Sequence, residues 1–194
     1  MRVISGAARG RPLRAPKGMR TRPMADKIRE AAFSTLWSLG VEPERVLDLY
    51  AGSGSVGIEA LSRGAEYADF VEQAGDAVVV IRQNLGSTGL GDRGRVHRMP
   101  VQRFIDAARE PYDFVIMDPP YADDDIQEVI ERLSASAAVN DGTVLLLGHA
   151  PYLKLPEQVG RFVRIRHRCH GDSCFSVFEV PVESGSDGEY EGGE

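Results

Sequence analysis

The chain has 194 residues, 42% of them hydrophobic and 27% charged, which suits one globular domain with a sizeable core. It has no run of the roughly 18–20 apolar residues needed to cross a bilayer, and no apolar segment follows its basic start, as one does in a secretory signal. These features argue against a membrane partner and predict a cytoplasmic protein. The two cysteines, Cys169 and Cys174, are therefore predicted to be reduced thiols.

The net charge of −6 is unevenly distributed along the chain. Residues 1–29 carry nine basic side chains and one acidic side chain, whereas residues 183–194 carry five acidic side chains and no basic one. Because a concentrated basic segment attracts phosphates, the first segment is predicted to contact nucleic acid; a merely solvated basic tail is the alternative. The last segment has almost no apolar content and is predicted to be disordered.

Residues 1–43 are predicted to form an extension before the main domain. Two short extended pieces, on either side of Gly10, predict a loose hairpin. A helix then begins at Pro23, since proline favours the first helical position, and ends at Gly40. Trp37 in this helix is predicted to be a core or subdomain contact rather than a residue that stacks on a base.

Residues 44–182 alternate between strand and helix patterns. Strands are predicted at 45–50, 67–72, 94–98, 112–118, 142–149, 161–169 and 173–182. Helices are predicted at about 55–63, 75–86, 101–109 and 124–137. This alternation predicts an α/β fold with a mostly parallel, doubly wound sheet of seven strands. The final two strands are separated by little more than Gly171-Asp172, which indicates an antiparallel hairpin.

The predicted hairpin concentrates polar side chains. Three arginines alternate along its first strand: Arg164, Arg166 and Arg168. Alternation would place them on one face, where they either extend the basic surface or protect an exposed strand. Two cysteines and two histidines flank the turn: His167, Cys169, His170 and Cys174. Because no second pair of ligands occurs elsewhere, no metal site is predicted.

The first predicted strand of the main domain runs into the glycine-rich stretch Ala51-Gly52-Ser53-Gly54. Together with Gly57 it fits the Gly-x-Gly-x-x-Gly pattern, so a dinucleotide site must be considered. Glu72, at the end of the next strand, could bind ribose hydroxyls in either a dinucleotide or S-adenosylmethionine. Asp48 is poorly placed for a pyrophosphate but could meet the cationic amino-acid end of S-adenosylmethionine. A buried, capped carboxylate is the alternative interpretation of Asp48.

The fourth predicted strand ends in Asp118-Pro119-Pro120-Tyr121. Proline cannot continue a central strand, so the chain turns here and leaves Asp118 at the carboxyl edge of the sheet, where ligands bind in such folds. The carboxylate and the Pro119 carbonyl could accept both hydrogens of an exocyclic amino group. Tyr121 could stack on the base, a contact worth about 1–3 kcal/mol. An ordinary strand-ending turn is the alternative.

These motifs resemble class I, Rossmann-like methyltransferases that act on amino nitrogen. Four further stretches resemble the RsmD-type small-subunit ribosomal RNA guanine-N2 methyltransferases: 2–6, 9–11, 22–30 and 57–65. The resemblance covers about residues 1–182. It implies a methyltransferase domain at 44–182 that follows an RNA-contacting extension at 1–43, with only the acidic tail at 183–194 left outside.

The resemblance also implies roles for individual residues. Asp118, Pro119, Pro120 and Tyr121 would bind the guanine amino group and the flipped base. The cofactor would be held by Asp48, Ala51, Gly52, Ser53, Gly54, Glu72 and Gln73. The residues expected to contact RNA are Arg9, Arg11, Arg20 and Arg22. The chain departs from the family pattern after the third strand, where an acidic residue usually lies near the adenine of the cofactor and this sequence has Met99-Pro100. Contacts to the adenine are therefore expected from Val101 and Gln102 instead.

The implied function is transfer of a methyl group from S-adenosylmethionine to the N2 amino group of a specific guanine in small-subunit ribosomal RNA. The enzyme is expected to be a monomer whose partner is this RNA, within the subunit or an assembly intermediate. Three alternatives remain open, one of which is a non-enzymatic RNA-binding module that the carboxylate-bearing pocket disfavours. An adenine-N6 DNA methyltransferase would use the same tetrapeptide, and a dinucleotide-dependent oxidoreductase would use the same glycine pattern.

Overall fold

The computed structural model describes residues 1–16, 24, 26–120 and 125–182, and within them it contains eight strands and five α-helices. The helices are α1 Asp26–Ser38, α2 Ser55–Arg63, α3 Gly75–Thr88, α4 Val101–Ala107 and α5 Ile126–Ser134. The strands are β1 Arg45–Leu49, β2 Tyr67–Glu72, β3 Gly94–Arg98, β4 Phe114–Met117, β5 Val144–His149, β6 Gln158–Val159, β7 Phe162–His170 and β8 Ser173–Glu179. The seven predicted strands are all present.

The strands form one sheet in the order β3-β2-β1-β4-β5-β8-β7-β6. The first five pair in parallel, whereas β8, β7 and β6 join antiparallel. The two-residue strand β6 extends the edge beyond the predicted hairpin. Strands β2 and β3 add to one side of β1, and β4 and β5 add to the other side, so the strand order reverses between β1 and β4. Open α/β sheets bind ligands at this position. The predicted α/β fold is confirmed.

Each face of the sheet carries its own hydrophobic cluster. The front face, which includes Val46 and Ile116, packs against residues of α1, α2 and α3. The back face, which includes Leu47 and Met117, packs against residues of α4 and α5. Because successive side chains point to opposite faces of a strand, central strands buried on both sides are apolar almost throughout. The same alternation places Asp48, two residues after Val46, on the front face.

The N-terminal segment forms the predicted loose hairpin and docks on α2. Arg2 bridges Pro12 antiparallel, and the turn is closed by the Val3 N–H, which donates to the Arg11 carbonyl at 3.0 Å. Glu59 of α2 accepts the N–H groups of residues 4 and 5 at 2.8 and 3.0 Å. Backbone donors of the extension are therefore satisfied by a buried carboxylate of the main domain.

Three sequence predictions are wrong. Trp37 is 74% exposed, because the buried stripe of α1 runs through Ile28, Ala32 and Leu36 and Trp37 falls outside it. Cys169 and Cys174 form a disulfide, because the β7–β8 register sets them directly opposite each other.

The third error concerns the arginines of β7. A bulge between Arg164 and Arg166 shifts the register and moves Arg164 to the opposite face of the sheet from Arg166 and Arg168. Arg166 and Arg168 pair with Val177 and Phe175, which belong to the front-face cluster.

No helix among the described residues is long and apolar enough to cross a membrane. The predicted disordered tail at 183–194 and the predicted helix start at Pro23 lie outside the described residues.

Candidate functional site

The candidate site lies at the carboxyl ends of the parallel strands, on the front face. Asp48 belongs to β1, Glu72 ends β2 and Asp118 follows β4. Asp48 is electrostatically coupled to both of the other carboxylates. Three acidic side chains from three strands therefore converge at the point where the strand order reverses.

Asp118 is held at the tip of β4 by a residue from the N-terminal segment. Its Oδ2 accepts the backbone N–H of Met24 at 3.1 Å. Burial raises the pKa of Asp118 to about 6, although the residue keeps partial solvent access at the surface of the sheet edge. On β5, Gly148 faces the carboxylate so closely that a Cβ at this position would overlap Asp118 Oδ1. The carboxylate is thus fixed from two sides.

Asp48 is buried and supports the loop that follows it. Its Oδ2 accepts the Gly57 N–H in the first turn of α2 at 2.9 Å. Burial raises the pKa of Asp48 well above its ordinary value, and the charges of Asp118 and Glu72 act in the same direction. One of its oxygens is therefore committed to the protein, so the capped carboxylate considered from the sequence is present.

The glycine loop between β1 and α2 is hydrogen-bonded to the end of β2. The Gly52 N–H donates to Glu72 Oε2 at 2.9 Å, and the Ala51 N–H donates to the Val71 carbonyl at 3.1 Å. Gly54 adopts φ +74° immediately before α2, a left-handed conformation that favours glycine. The loop is therefore a tight turn whose Gly52 N–H already faces a carboxylate.

The predicted adenine-contacting residues stand at the next strand tip. Val101 is buried and begins α4, whereas Gln102 is exposed. Gln73 is exposed directly after Glu72. The end of β3 also brings Arg98 opposite Glu72 in the parallel register. These residues lie at the same edge of the sheet as the glycine loop.

The predicted site residues divide into three groups. One group converges at the strand tips: Asp48, Ala51, Gly52, Ser53, Gly54, Glu72, Gln73, Val101, Gln102, Asp118, Pro119 and Pro120. A second group is exposed on the N-terminal hairpin: Arg9 and Arg11. The third group lies outside the described residues: Tyr121, Arg20 and Arg22.

Three buried residues donate hydrogen bonds that the sequence analysis did not predict. Met24, which donates to Asp118, had no signal in the sequence. Asn84 of α3 donates to the Ser53 carbonyl at 2.9 Å and exchanges hydrogen bonds with the backbone of Arg14; its helical spacing from buried Ile81 was the available signal. Arg29 is fully buried and donates to the Arg2 carbonyl at 2.6 Å. Met24 and Asn84 link the N-terminal segment to the site, whereas Arg29 links α1 to the N-terminal hairpin and to Glu59 of α2.

This chain has relatives with the same architecture and named activities. A family model described as Conserved hypothetical protein 95 matches residues 1–179. YlbH of Bacillus subtilis, provisionally named an rRNA methyltransferase, is 34% identical over 182 residues, covering 92% of this chain and 98% of that protein. Ribosomal RNA small subunit methyltransferase D of Escherichia coli is 28% identical over 189 residues, covering 97% of this chain and 94% of that protein.

Solved structures of two similar proteins share the fold over almost the whole chain. The Escherichia coli protein yhhF, provisionally titled a methyltransferase, superposes with a TM-score of 0.80 at 28% identity, covering 93% of this chain and 98% of that one. A hypothetical protein of Thermus thermophilus gives a TM-score of 0.79 at 34% identity, covering 93% of this chain and 99% of that one. The predicted Rossmann-like methyltransferase fold is confirmed.

Proposed function

Since this chain belongs to the family described as Conserved hypothetical protein 95, we propose that it methylates the exocyclic N2 amino group of a guanine in small-subunit ribosomal RNA. The relatives bear out the resemblance to RsmD-type enzymes, and with it the cofactor S-adenosylmethionine. The Escherichia coli relative is named for the small ribosomal subunit, which supports that substrate class.

The observation that carries the proposal is the position of Asp118. Its carboxylate stands at the tip of β4, two strands from Glu72, and is anchored by the Met24 N–H and enclosed by Gly148. A carboxylate has about four lone-pair positions, and Met24 uses one of them. The remaining lone pairs can accept the hydrogens of an amino group at the edge of the sheet.

The chemistry follows from this acceptor. The conjugated lone pair of an exocyclic amino group is a poor nucleophile, and holding both hydrogens with Asp118 and the Pro119 carbonyl turns that lone pair towards the methyl donor. S-adenosylmethionine supplies the methyl group on a sulfonium. Rate then comes from positioning and from exclusion of water. Asp118 need not be a strong base, because the nitrogen becomes acidic once alkylated.

The base must leave its stack to reach Asp118, at a cost of a few kcal/mol. We assign its stacking partner to Tyr121, which follows the two prolines in the sequence and lies outside the described residues. An unpaired loop is the favoured source of the base, since protein modules read RNA bases best in unpaired segments.

We assign cofactor binding to the edge formed by the glycine loop, Glu72 and the start of α4. Here the Gly52 N–H faces a carboxylate oxygen of Glu72 at 2.9 Å, so polar groups that suit ribose hydroxyls already stand together. Asp48 has one oxygen committed to Gly57 and the other for a cationic ligand group. Val101 and Gln102 border the position assigned to the adenine.

RNA contact is assigned to the basic extension at 1–43 and to the front face of β7. Arg9 and Arg11 are exposed on the N-terminal hairpin, and Arg166 and Arg168 are exposed on the face that also carries the site. Each phosphate contact to single-stranded RNA contributes about 0.7 to the salt slope of log K. Changing Arg9 and Arg11 to alanine should therefore lower that slope by about 1.4.

The test is transfer of a labelled methyl group to small ribosomal subunits from cells that lack this gene. Naked ribosomal RNA and duplex DNA run in parallel, and the products are digested to nucleosides. Label in N2-methylguanosine from subunit RNA is the expected result. Label only in N6-methyladenine of DNA would overturn the substrate and favour the adenine alternative. Failure to transfer label, with stabilisation by NADH instead of S-adenosylmethionine, would overturn the reaction.

A further inference from the structure

A second group of chemically reactive side chains lies at the tip of the β7–β8 hairpin, on the back face. The hairpin cluster consists of His167, Cys169 and Cys174, whose possible ligand atoms all lie within 4.8 Å of one another. His167 and Cys169 are exposed, and Cys174 is buried. The candidate methyl-transfer site uses none of the three. The sequence predicted no metal here because it offered no distant second pair of ligands.

The distance between the nitrogen ligand and one sulfur ligand of the hairpin cluster matches a tetrahedral metal site. His167 Nε2 lies 3.4 Å from Cys169 Sγ. Two ligands of a tetrahedral zinc ion, with bonds of about 2.0–2.1 Å to nitrogen and 2.3 Å to sulfur, stand roughly 3.5 Å apart. The antiparallel register keeps Cys169 opposite Cys174 and His167 opposite Ser176. The backbone therefore presents all three ligands on one face without rearrangement of the sheet.

A hydrogen-bonded chain fixes which nitrogen of His167 is free. The Ala150 carbonyl can only accept, so His149 Nδ1 donates to it at 2.9 Å. In the neutral ring Nε2 must then accept, and it does so from Ser176 Oγ at 2.9 Å.

The Ser176 hydroxyl has now used its hydrogen, so its oxygen accepts from His167 Nδ1 at 3.1 Å. This leaves His167 Nε2 with a bare lone pair directed at Cys169. Metal-binding histidines are oriented in this way, because the second ring nitrogen is held by a hydrogen bond from its own N–H.

We propose that the hairpin cluster is a redox-gated site for a borderline-soft divalent cation of the zinc class, with His167, Cys169 and Cys174 as ligands and solvent in the fourth position. In the disulfide form the sulfurs are bonded to each other and cannot serve as thiolates. A dithiol reductant transfers two electrons and two protons to the S–S bond and becomes a disulfide itself. The cation then displaces both thiol protons and binds the two thiolates.

The experiment compares the full chain in its two redox forms. The protein is reduced on an immobilised dithiol resin, the resin is removed under nitrogen, and Zn²⁺ is titrated against a chromophoric chelator. The reduced form should bind one Zn²⁺ per chain and the disulfide form none, whereas Mg²⁺ should not compete. Substitution by Co²⁺ should give a thiolate-to-metal charge-transfer band only in the reduced form. Equal zinc binding by both forms, or none by the reduced form, would overturn the proposal.

Variants test the ligand assignment in the reduced state. His167→Ala and Cys169→Ser should each lose most of the zinc affinity. The matched control is His170→Ala, because His170 is an adjacent imidazole that points to the opposite face of β7, and it should keep wild-type affinity. Ser176→Ala should weaken binding by about tenfold or more, since it removes the partner of His167 Nδ1. Comparable loss in His170→Ala and His167→Ala, with both chains folded by circular dichroism, would overturn the assignment.

Discussion

The two halves of the candidate methyl-transfer site are built in different ways. The cofactor half, as proposed, is built mainly from residues 48–72, where the glycine loop and Glu72 satisfy each other through the Gly52 N–H, and the start of α4 borders it. The Asp118 half is assembled from distant parts of the chain: Met24 reaches Asp118 across 94 residues, and Gly148 approaches from the neighbouring strand. The first half is therefore local, whereas the second requires the N-terminal segment to be docked.

This difference indicates where substitutions should matter. A local loop keeps its shape as long as the adjoining strands form. The Asp118 half depends on a close fit between three elements, and buried carboxylates are sensitive to such surroundings. Changes in the Asp118 half should therefore cost activity without loss of the fold or of cofactor binding.

The largest effect is expected from Asp118→Asn. The amide keeps the size of the side chain but loses the charge and an acceptor, so single-turnover methyl transfer should fall by about 10²–10³-fold, as for loss of one positioned polar group. Because the folded pKa is about 6 against an ordinary 3.8, the ionised carboxylate costs stability at pH 8. The free energy of unfolding of the variant should therefore be higher by ~1–2 kcal/mol, once partial solvent access is discounted. Urea unfolding should show this as a midpoint at higher urea concentration.

The matched control for this change is Asp106→Asn. Asp106 is exposed and paired with Arg132 on the surface, a contact worth at most about 1 kcal/mol. Its turnover should equal that of the wild type. Near wild-type turnover in a folded Asp118→Asn chain would contradict the role of Asp118. Loss of S-adenosylmethionine binding in that variant would also contradict it, because the defect would then lie in the cofactor half.

A smaller loss is expected from Gly148→Ala. The added methyl group would overlap Asp118 Oδ1 and displace the carboxylate, and a misplacement of about 1 Å can cost up to 10²-fold in rate. Turnover should fall by about 10–100-fold, while cofactor affinity measured by calorimetry stays unchanged. Gly86→Ala is the control, since a Cβ there meets nothing within 4 Å. If both alanine variants turn over equally, Gly148 does not constrain Asp118.

The sequence predicted the positions of the strand-tip residues, Asp118 among them, far better than the contacts that hold Asp118 in place. The order of strands, the loop at Gly52 and the carboxylate at Glu72 follow from local patterns, because strand tips and glycine turns are encoded by neighbouring residues. The anchoring N–H of Met24 could not be predicted, since any residue can supply a backbone donor. Gly148 gave no signal either, because its small size matters only through the packing of β5 against Asp118.

The wrong predictions for β7 and for Trp37 also arise because contacts between distant segments decide the outcome. Alternation predicted a common face for Arg164 and Arg166, but a bulge between them broke the period of two. Bulges arise from the pairing of two strands and leave no reliable mark in one of them. Trp37 was predicted to be a core or subdomain contact, although only the docking of α1 decides which face of the helix is covered.

The pH dependence of methyl transfer should give about a tenfold effect. The pKa of Asp118 is raised to about 6 by burial, so the accepting carboxylate is lost as pH falls through 6. At pH 5 the single-turnover rate should be about one tenth of its plateau above pH 7. Stability should show the opposite trend, since a raised acid pKa makes the folded state less stable as pH rises from about 4 to about 6. A flat rate profile between pH 5 and 8 would contradict this assignment.

The smallest effect on turnover, but a clear one on stability, is expected when the N-terminal hairpin is loosened. Gly6 and Gly10 both have φ +81°, so alanine at either position costs about 1–2 kcal/mol for the left-handed backbone. Only at Gly6 would the new Cβ also overlap a neighbour, the Ser62 carbonyl of α2, which adds about 1–3 kcal/mol.

Urea unfolding should therefore rank Gly6→Ala below Gly10→Ala by that difference. Equal stabilities would mean that the hairpin is not docked on α2. If the ranking holds and Gly6→Ala also lowers turnover more than Gly10→Ala does, the docked extension, which continues towards Met24, helps to hold the Asp118 half in place.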